Sequence, residues 1–187
     1  MSERVDDLEG TLAEPAFAIA REVFEYWREC VPGRDSMLVP PDRAAIDPLL
    51  DIPQAAPYLT LLDIEKGEDG RPHDYFFRLV GTRIVDFEGE CTGRRLSDMM
   101  PRSQFPNAWA QYEDAVAGRL WIRIETLDWQ DRGHMRYSSL FMPLRRGGRS
   151  VEMLLGVHYS EAASNIGRPA ISTMTTRPVD TLPPRRE

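Results

Sequence analysis

Cysteine is nearly absent. Cys30 and Cys91 are the only two in 187 residues, too few for a disulfide framework, and both are expected as free thiols. Histidine is equally scarce: with only His73, His134 and His158, and no Cys-x-x-Cys or His-Glu-x-x-His spacing, no metal centre is expected. No apolar run approaches the roughly 18 residues that a membrane span requires. The start MSERVDDLEG lacks the basic and apolar stretches of a secretion signal, so no membrane association is expected and the compartment is read as cytoplasmic. Positive charge is in deficit, 23 Lys and Arg against 30 Asp and Glu for a net −7, which works against nucleic acid as a partner. Catalytic patterns are missing too. Ser138-Ser139 has no Gly-x-Ser-x-Gly elbow around it, and Glu125 and Asp128, three positions apart in a strand, fall on opposite faces.

What is present reads as one domain, with 42% hydrophobic and 28% charged residues in a chain long enough to bury its own core. Residues 1–13, with Glu3, Asp6, Asp7 and Glu9, are expected to form a flexible acidic leader. Residues 14–31 have helical spacing: Phe17, Ala20, Phe24 and Trp27 make one stripe, Ala16, Ile19, Val23, Tyr26 and Cys30 an adjacent one, and Pro32-Gly33 end the helix. So broad an apolar arc calls for two partners, a sheet on one side and a second copy of the chain on the other. Phe17, Phe24 and Trp27 are therefore the candidate dimer or helix-packing residues; the alternative is a helix docked once onto its own domain. The proline-dense 33–57 segment holds only short turns, with Asp47-Pro48 as a helix start.

Five strands follow, at Tyr58–Ile64, Asp74–Val80, Trp121–Trp129, Met135–Leu144 and Val151–Tyr159. The first two are joined by a loop with Gly67, Gly70 and Pro72, and the last three by Asp-Arg-Gly and Gly147-Gly148 turns, which predicts antiparallel hairpins. Helical stretches at Arg83–Phe87 and Asn107–Ala117 lie between the second and third strands. In the second strand Tyr75, Phe77 and Leu79 are read as one face, with Phe76 and Val80 flanking Arg78 on the other, so both faces need cover.

The run Gly81-Thr82-Arg83-Ile84-Val85-Asp86-Phe87-Glu88-Gly89, then Thr92-Gly93-Arg94-Arg95-Leu96, resembles the helical middle of a PAS domain. Further landmarks are Tyr26-Trp27, Pro32-Gly33-Arg34, Pro41 with Arg43, Ile46-Asp47-Pro48, Leu62-Asp63, Arg78-Leu79-Val80-Gly81-Thr82 and Met142-Pro143-Leu144. In order and spacing they resemble a family of small bacterial PAS-type proteins, from about Tyr26 to Tyr159. The resemblance implies an α+β fold: a five-stranded antiparallel sheet with helices on one face, and here an N-terminal helix packing outside. The PAS-like domain is expected over 32–160 and a mobile tail over 161–187. The resemblance also implies a sensor in signal transduction, not an enzyme, which binds a small ligand between sheet and helices and signals by contact with a protein partner or as a homodimer.

On that reading the pocket walls are Phe77, Leu79, Ile84, Phe87, Met99, Trp109, Tyr137 and Phe141, with Arg78, Arg83 or Arg94 near the mouth. The same aromatics and methionines also suit a solid core. The identity of any cofactor stays open. Cys91 lacks the surroundings of the flavin-reactive cysteine in light-sensing PAS domains, and the helical stretch 101–118 has no histidine for haem. A small cavity isomerase or dehydratase is the rival reading, and would need Asp86, Glu88 or His158 as acid or base; an adaptor without ligand is the third. Arg145, Arg146 and Arg149 form a basic hairpin tip.

Overall fold

The structure is a computed structural model, and the residues described are 2–32, 39–129 and 133–162. Six strands form one sheet: β1 (Ser2–Val5), β2 (Leu59–Lys66), β3 (Pro72–Val80), β4 (Ile122–Trp129), β5 (Gly133–Arg145) and β6 (Val151–Ala162). Six helices accompany them: α1 (Leu8–Leu12), α2 (Ala18–Glu29), α3 (Pro48–Asp51), α4 (Thr82–Glu88), α5 (Leu96–Met99) and α6 (Pro106–Val116). The sheet order is β1-β4-β5-β6-β2-β3, and every neighbouring pair is antiparallel. The last strand thus lies in the middle and joins the β2–β3 hairpin to the β4–β5–β6 meander. This is an α+β architecture with the two-strand, helices, three-strand order expected from the sequence.

Alternation along the strands sorts the side chains onto two faces. The outer face carries Leu59, Ile122, Ile124, Leu140, Met142, Leu144, Met153, Leu155 and Val157, and α2 packs on it through Ala20, Val23, Phe24 and Trp27. The Trp27 indole N–H donates to the Pro143 carbonyl at 2.9 Å. Pro143 is tolerated inside β5 because the β4 pairing has already ended at Ser139. The inner face carries Leu62, Ile64, Tyr75, Phe77, Phe141 and Leu154, covered by Leu96, Met99, Trp109, Tyr112 and Ala115 from α5 and α6.

Several expectations are corrected. Residues 2–12 are not a loose leader: β1 pairs with β4 from Ser2↔Glu125 to Val5↔Ile122, and Leu12 of α1 is buried. Arg4 explains how so acidic a stretch docks, since its guanidinium meets Asp114 at 2.7 Å and lies 4.8 Å from the Trp121 ring centroid. Phe17, Phe24 and Trp27 are buried within the chain's own fold, so the helix docks on its own domain and these three side chains present no surface to a second copy. Leu79 leaves the face of Tyr75 and Phe77, because a register shift pairs Leu62 with Phe77 but Leu61 with Leu79, making Arg78 the extra residue of a bulge. Pro48 does open α3, but Asp47 makes no side-chain cap; its backbone N–H donates to the Tyr26 hydroxyl at 2.8 Å. Of the expected tail, Glu161 and Ala162 end β6, and 163–187 lie outside the described residues, as does the turn at 130–132.

The exposed margin of β3 is closed by residues 93–95, with Phe77 N–H donating to the Arg94 carbonyl at 3.0 Å and Gly93 N–H to the Phe77 carbonyl at 2.8 Å. That covers an edge otherwise open to strand addition and fixes the connection between α4 and α5 against the sheet.

Candidate functional site

Four adjacent strands, β4, β5, β6 and β2, place polar side chains on the inner face, where apolar ones are expected. The register sets Arg123 of β4 opposite Ser139 of β5, and Ser139 opposite His158 of β6. Thr60 of β2 faces Gly156 of β6 one row along. All of these polar residues are buried, Arg123 to 4% exposure. Burying so many polar groups costs stability unless they bond to one another. They do: Gln111 of α6 donates from Nε2 to the Ser139 carbonyl at 2.7 Å and the Trp121 carbonyl at 3.2 Å, and accepts on Oε1 from Ser139 Oγ at 2.9 Å. Arg123 Nε donates to Ser139 Oγ at 3.4 Å, and its guanidinium lies 3.6 Å from a Glu125 carboxylate oxygen.

His158 is bracketed by hydroxyls. Nε2 is 2.9 Å from Thr60 Oγ1, and Nδ1 pairs with the Tyr137 hydroxyl. Two such partners suit a neutral imidazole, one nitrogen donating and the other accepting. Burial, reinforced by the nearby Arg123 charge, pushes its pKa down to about 3. Burial likewise raises Tyr137 and Tyr112, keeping both phenols protonated. For Arg123 burial opposes the charge, but Glu125, Tyr137, Tyr112 and Glu88 favour it and its pKa stays above the ordinary value. The polar floor of the inner face is therefore one buried cation, with the Glu125 carboxylate at its edge, among neutral donors and acceptors.

Aromatic rings wall this floor. Tyr112 and Phe141 are 4.3 Å apart between centroids, Tyr75 and Tyr112 4.9 Å, and Phe141 meets the His158 ring edge-on at 5.3 Å. Phe87 of α4 lies flat on Tyr137, with centroids 5.5 Å apart and planes within 8°. Two glycines bound α4. A Cβ at Gly81 would come 2.3 Å from the Pro57 carbonyl oxygen, and Gly89 has φ +82°, a region that favours glycine. The helix has seven residues, no side-chain cap at its start, and only Ile84 and Phe87 buried.

Of the sequence-derived pocket residues, Phe77, Met99, Trp109 and Phe141 belong to the inner cluster, Phe87 and Tyr137 stack over its polar end, and Ile84 lies one turn before Phe87 on α4. Leu79 is on the outer side, where it lines a small apolar dimple with Ile46, Leu61 and Leu155. Of the arginines expected at the mouth, Arg78 pairs with Asp63, Arg83 is exposed and Arg94 is half-buried. Of the residues that the enzyme reading required, Asp86 is exposed, Glu88 half-buried and His158 neutral in the core. Cys91 is buried, its Sγ donating to the Gly89 carbonyl at 3.3 Å. Among the described residues no group of three His, Cys, Asp or Glu is placed to hold a metal ion, and no helix is long and apolar enough to cross a membrane.

Sequence reading missed Arg123, Gln111, Ser139 and Thr60 as members of the site. Alternation assigns Arg123 and Ser139 to a polar, and so apparently solvated, face. The usable signal was Gly156, a glycine inside an otherwise apolar strand, which marks a close approach from the neighbouring strands.

No protein-family description matches the chain, and no curated protein matches it. Among solved structures it is similar to an RNA-binding light-oxygen-voltage receptor, at 19% identity and a TM-score of 0.41 over 65% of this chain and 35% of that one. It is also similar to a variant of RsLOV, at 18% identity and a TM-score of 0.38 over 81% of this chain and 72% of that one. The chain spans about a third of the length of the first of these.

Proposed function

We propose that this chain is a PAS-type sensor module that binds a small molecule in the cup between the inner sheet face and α4–α6, and reports it in the cytoplasm by contact with a protein partner. One observation carries the reading. A cation, an imidazole, a carboxamide and three hydroxyls are gathered, buried, among aromatic rings on the inner sheet face, where a purely structural core is more stable with apolar groups of the same shape. Polar groups converging in an apolar enclosure are what a ligand site needs to orient its guest. The isomerase reading is disfavoured because an imidazole held at a pKa of about 3 does not exchange protons near neutrality.

Signalling follows from differential binding. A ligand shifts the population only if it fits one placement of α4 better than another, and α4, a short helix with no side-chain cap that ends at Gly89, is the cover that changes place. Its outward residues, Arg83 and Asp86, then carry the change to a partner, or to a second copy meeting a surface other than Phe17, Phe24 and Trp27. Native mass spectrometry of the freshly purified full chain, followed by a thermal-shift screen of small aromatics and organic acids, tests the proposal. A retained small molecule, or a raised Tm that is lost when Tyr137 or Phe141 is replaced, supports it. A bare chain that no compound stabilises favours the ligand-free adaptor.

A further inference from the structure

We infer that the ligand class of this cup is a small aromatic carboxylate, seated with its ring on Tyr137, in the place that Phe87 of α4 now fills, and with its carboxylate on Arg123. The inference rests on the sensor reading of the same cup.

The argument begins with Arg123. Guanidinium pairs best with a carboxylate through two bonds of about 2.7 to 2.9 Å. The chain builds such a pair at its surface, where Arg95 meets Glu65 at 2.8 and 2.9 Å. In the core, where pairing matters far more, Arg123 has a hydroxyl at 3.4 Å and a carboxylate oxygen at 3.6 Å. The guanidinium carbon also lies 5.8 Å from the Tyr137 ring centroid. A buried cation is thus held in place by Ser139 and an aromatic face, with its best partner geometry unfilled by Glu125.

The second step is what α4 brings. Phe87 and Glu88 are consecutive; the ring lies parallel on Tyr137, and the Glu88 charge acts on Arg123, Tyr137 and Tyr112. One short helix therefore offers the cup a ring and a carboxylate side by side. A molecule with both groups takes the place of the Phe87 ring on Tyr137 and gives Arg123 the close carboxylate it lacks, once α4 moves aside. Apart from the Glu125 oxygen at 3.6 Å, the groups around the guanidinium bring no negative charge against an anion: Tyr137 is a protonated phenol, His158 is neutral, and Gln111, Ser139 and Thr60 add no charge. A second cation is not needed, and a cationic ligand would meet Arg123.

The test uses benzoate and its neutral isostere benzamide, titrated calorimetrically into the full chain and into the double variant Phe87→Ala with Glu88→Ala, which removes the ring and the charge of α4 without touching Arg123. The expected result is benzoate binding to the double variant at least tenfold more tightly than to the unaltered chain, and at least tenfold more tightly than benzamide. Replacing Arg123 by Gln in that variant should remove the preference for benzoate; if that triple variant does not fold, the benzoate-to-benzamide ratio decides alone. Benzamide binding as well as benzoate would overturn the carboxylate class while leaving the cup reading standing. Failure of both probes to bind the double variant would overturn the inference, while the cup reading falls only if the unaltered chain also retains no small molecule and no compound in the screen stabilises it.

Discussion

His158 carries its imidazole uncharged inside the fold, so mild acid should destabilise this protein before its carboxylates titrate. The unfolded chain protonates this histidine near its ordinary 6.5, the folded chain near 3. Because the folded pKa lies below the unfolded one, the unfolded state binds more protons between these values and stability falls as pH falls. The contribution is fully present above about pH 6.5 and shrinks by about 1.4 kcal/mol per pH unit below it, so roughly 2 kcal/mol is lost by about pH 5. Asp114, which Arg119, Arg4 and Trp121 hold below the usual carboxylate range despite its partial burial, loses its share only further down. Urea unfolding followed by circular dichroism, at about pH 7.5, 6 and 5, measures the loss. The variant His158→Gln should start less stable and be nearly flat over the same range. Equal slopes for the two proteins, or an imidazole that titrates between pH 7.5 and 5 in the folded chain, would refute the buried neutral assignment.

Two substitutions probe the faces separately. Gly156→Ala places a Cβ 2.3 Å from Thr60 Oγ1 and 2.6 Å from the Phe141 ring, and forcing an extra methyl into a packed core costs about 1–3 kcal/mol; denaturant midpoints should show it, with the Thr60–His158 bond disturbed in the histidine NMR signals. Trp27→Ala removes a side chain 1% exposed and strips the Pro143 carbonyl of its donor, for a loss of about 3–5 kcal/mol. That loss should be the same at all protein concentrations, since Trp27 packs within its own chain.

The fold was legible because its elements repeat local chemistry. Hydrophobic runs between Gly and Pro turns located all five expected strands, and Pro48 and Pro106 stand at helix starts. Three things were not legible. The pairing of Ser2–Val5 with β4 depends on Arg4 reaching Asp114, 110 positions away, which no local pattern announces. The Arg78 bulge turns Leu79 over because of how β2 and β3 register, a property of the pair and not of either strand. The polar floor was hidden for a related reason. In β4 the alternation Ile122, Arg123, Ile124, Glu125 reads as one buried and one wet face, and only the docking of α6, through Gln111, makes Arg123 and Ser139 interior.

The central claim is that one face of the sheet is sealed by α2 while the other has a cover that opens. Native-state hydrogen exchange measures both at once. The account requires the amides of α4 to exchange through a local opening well below the global unfolding free energy, while those of α2 exchange only with global unfolding. Protection of α4 equal to that of α2 would contradict it.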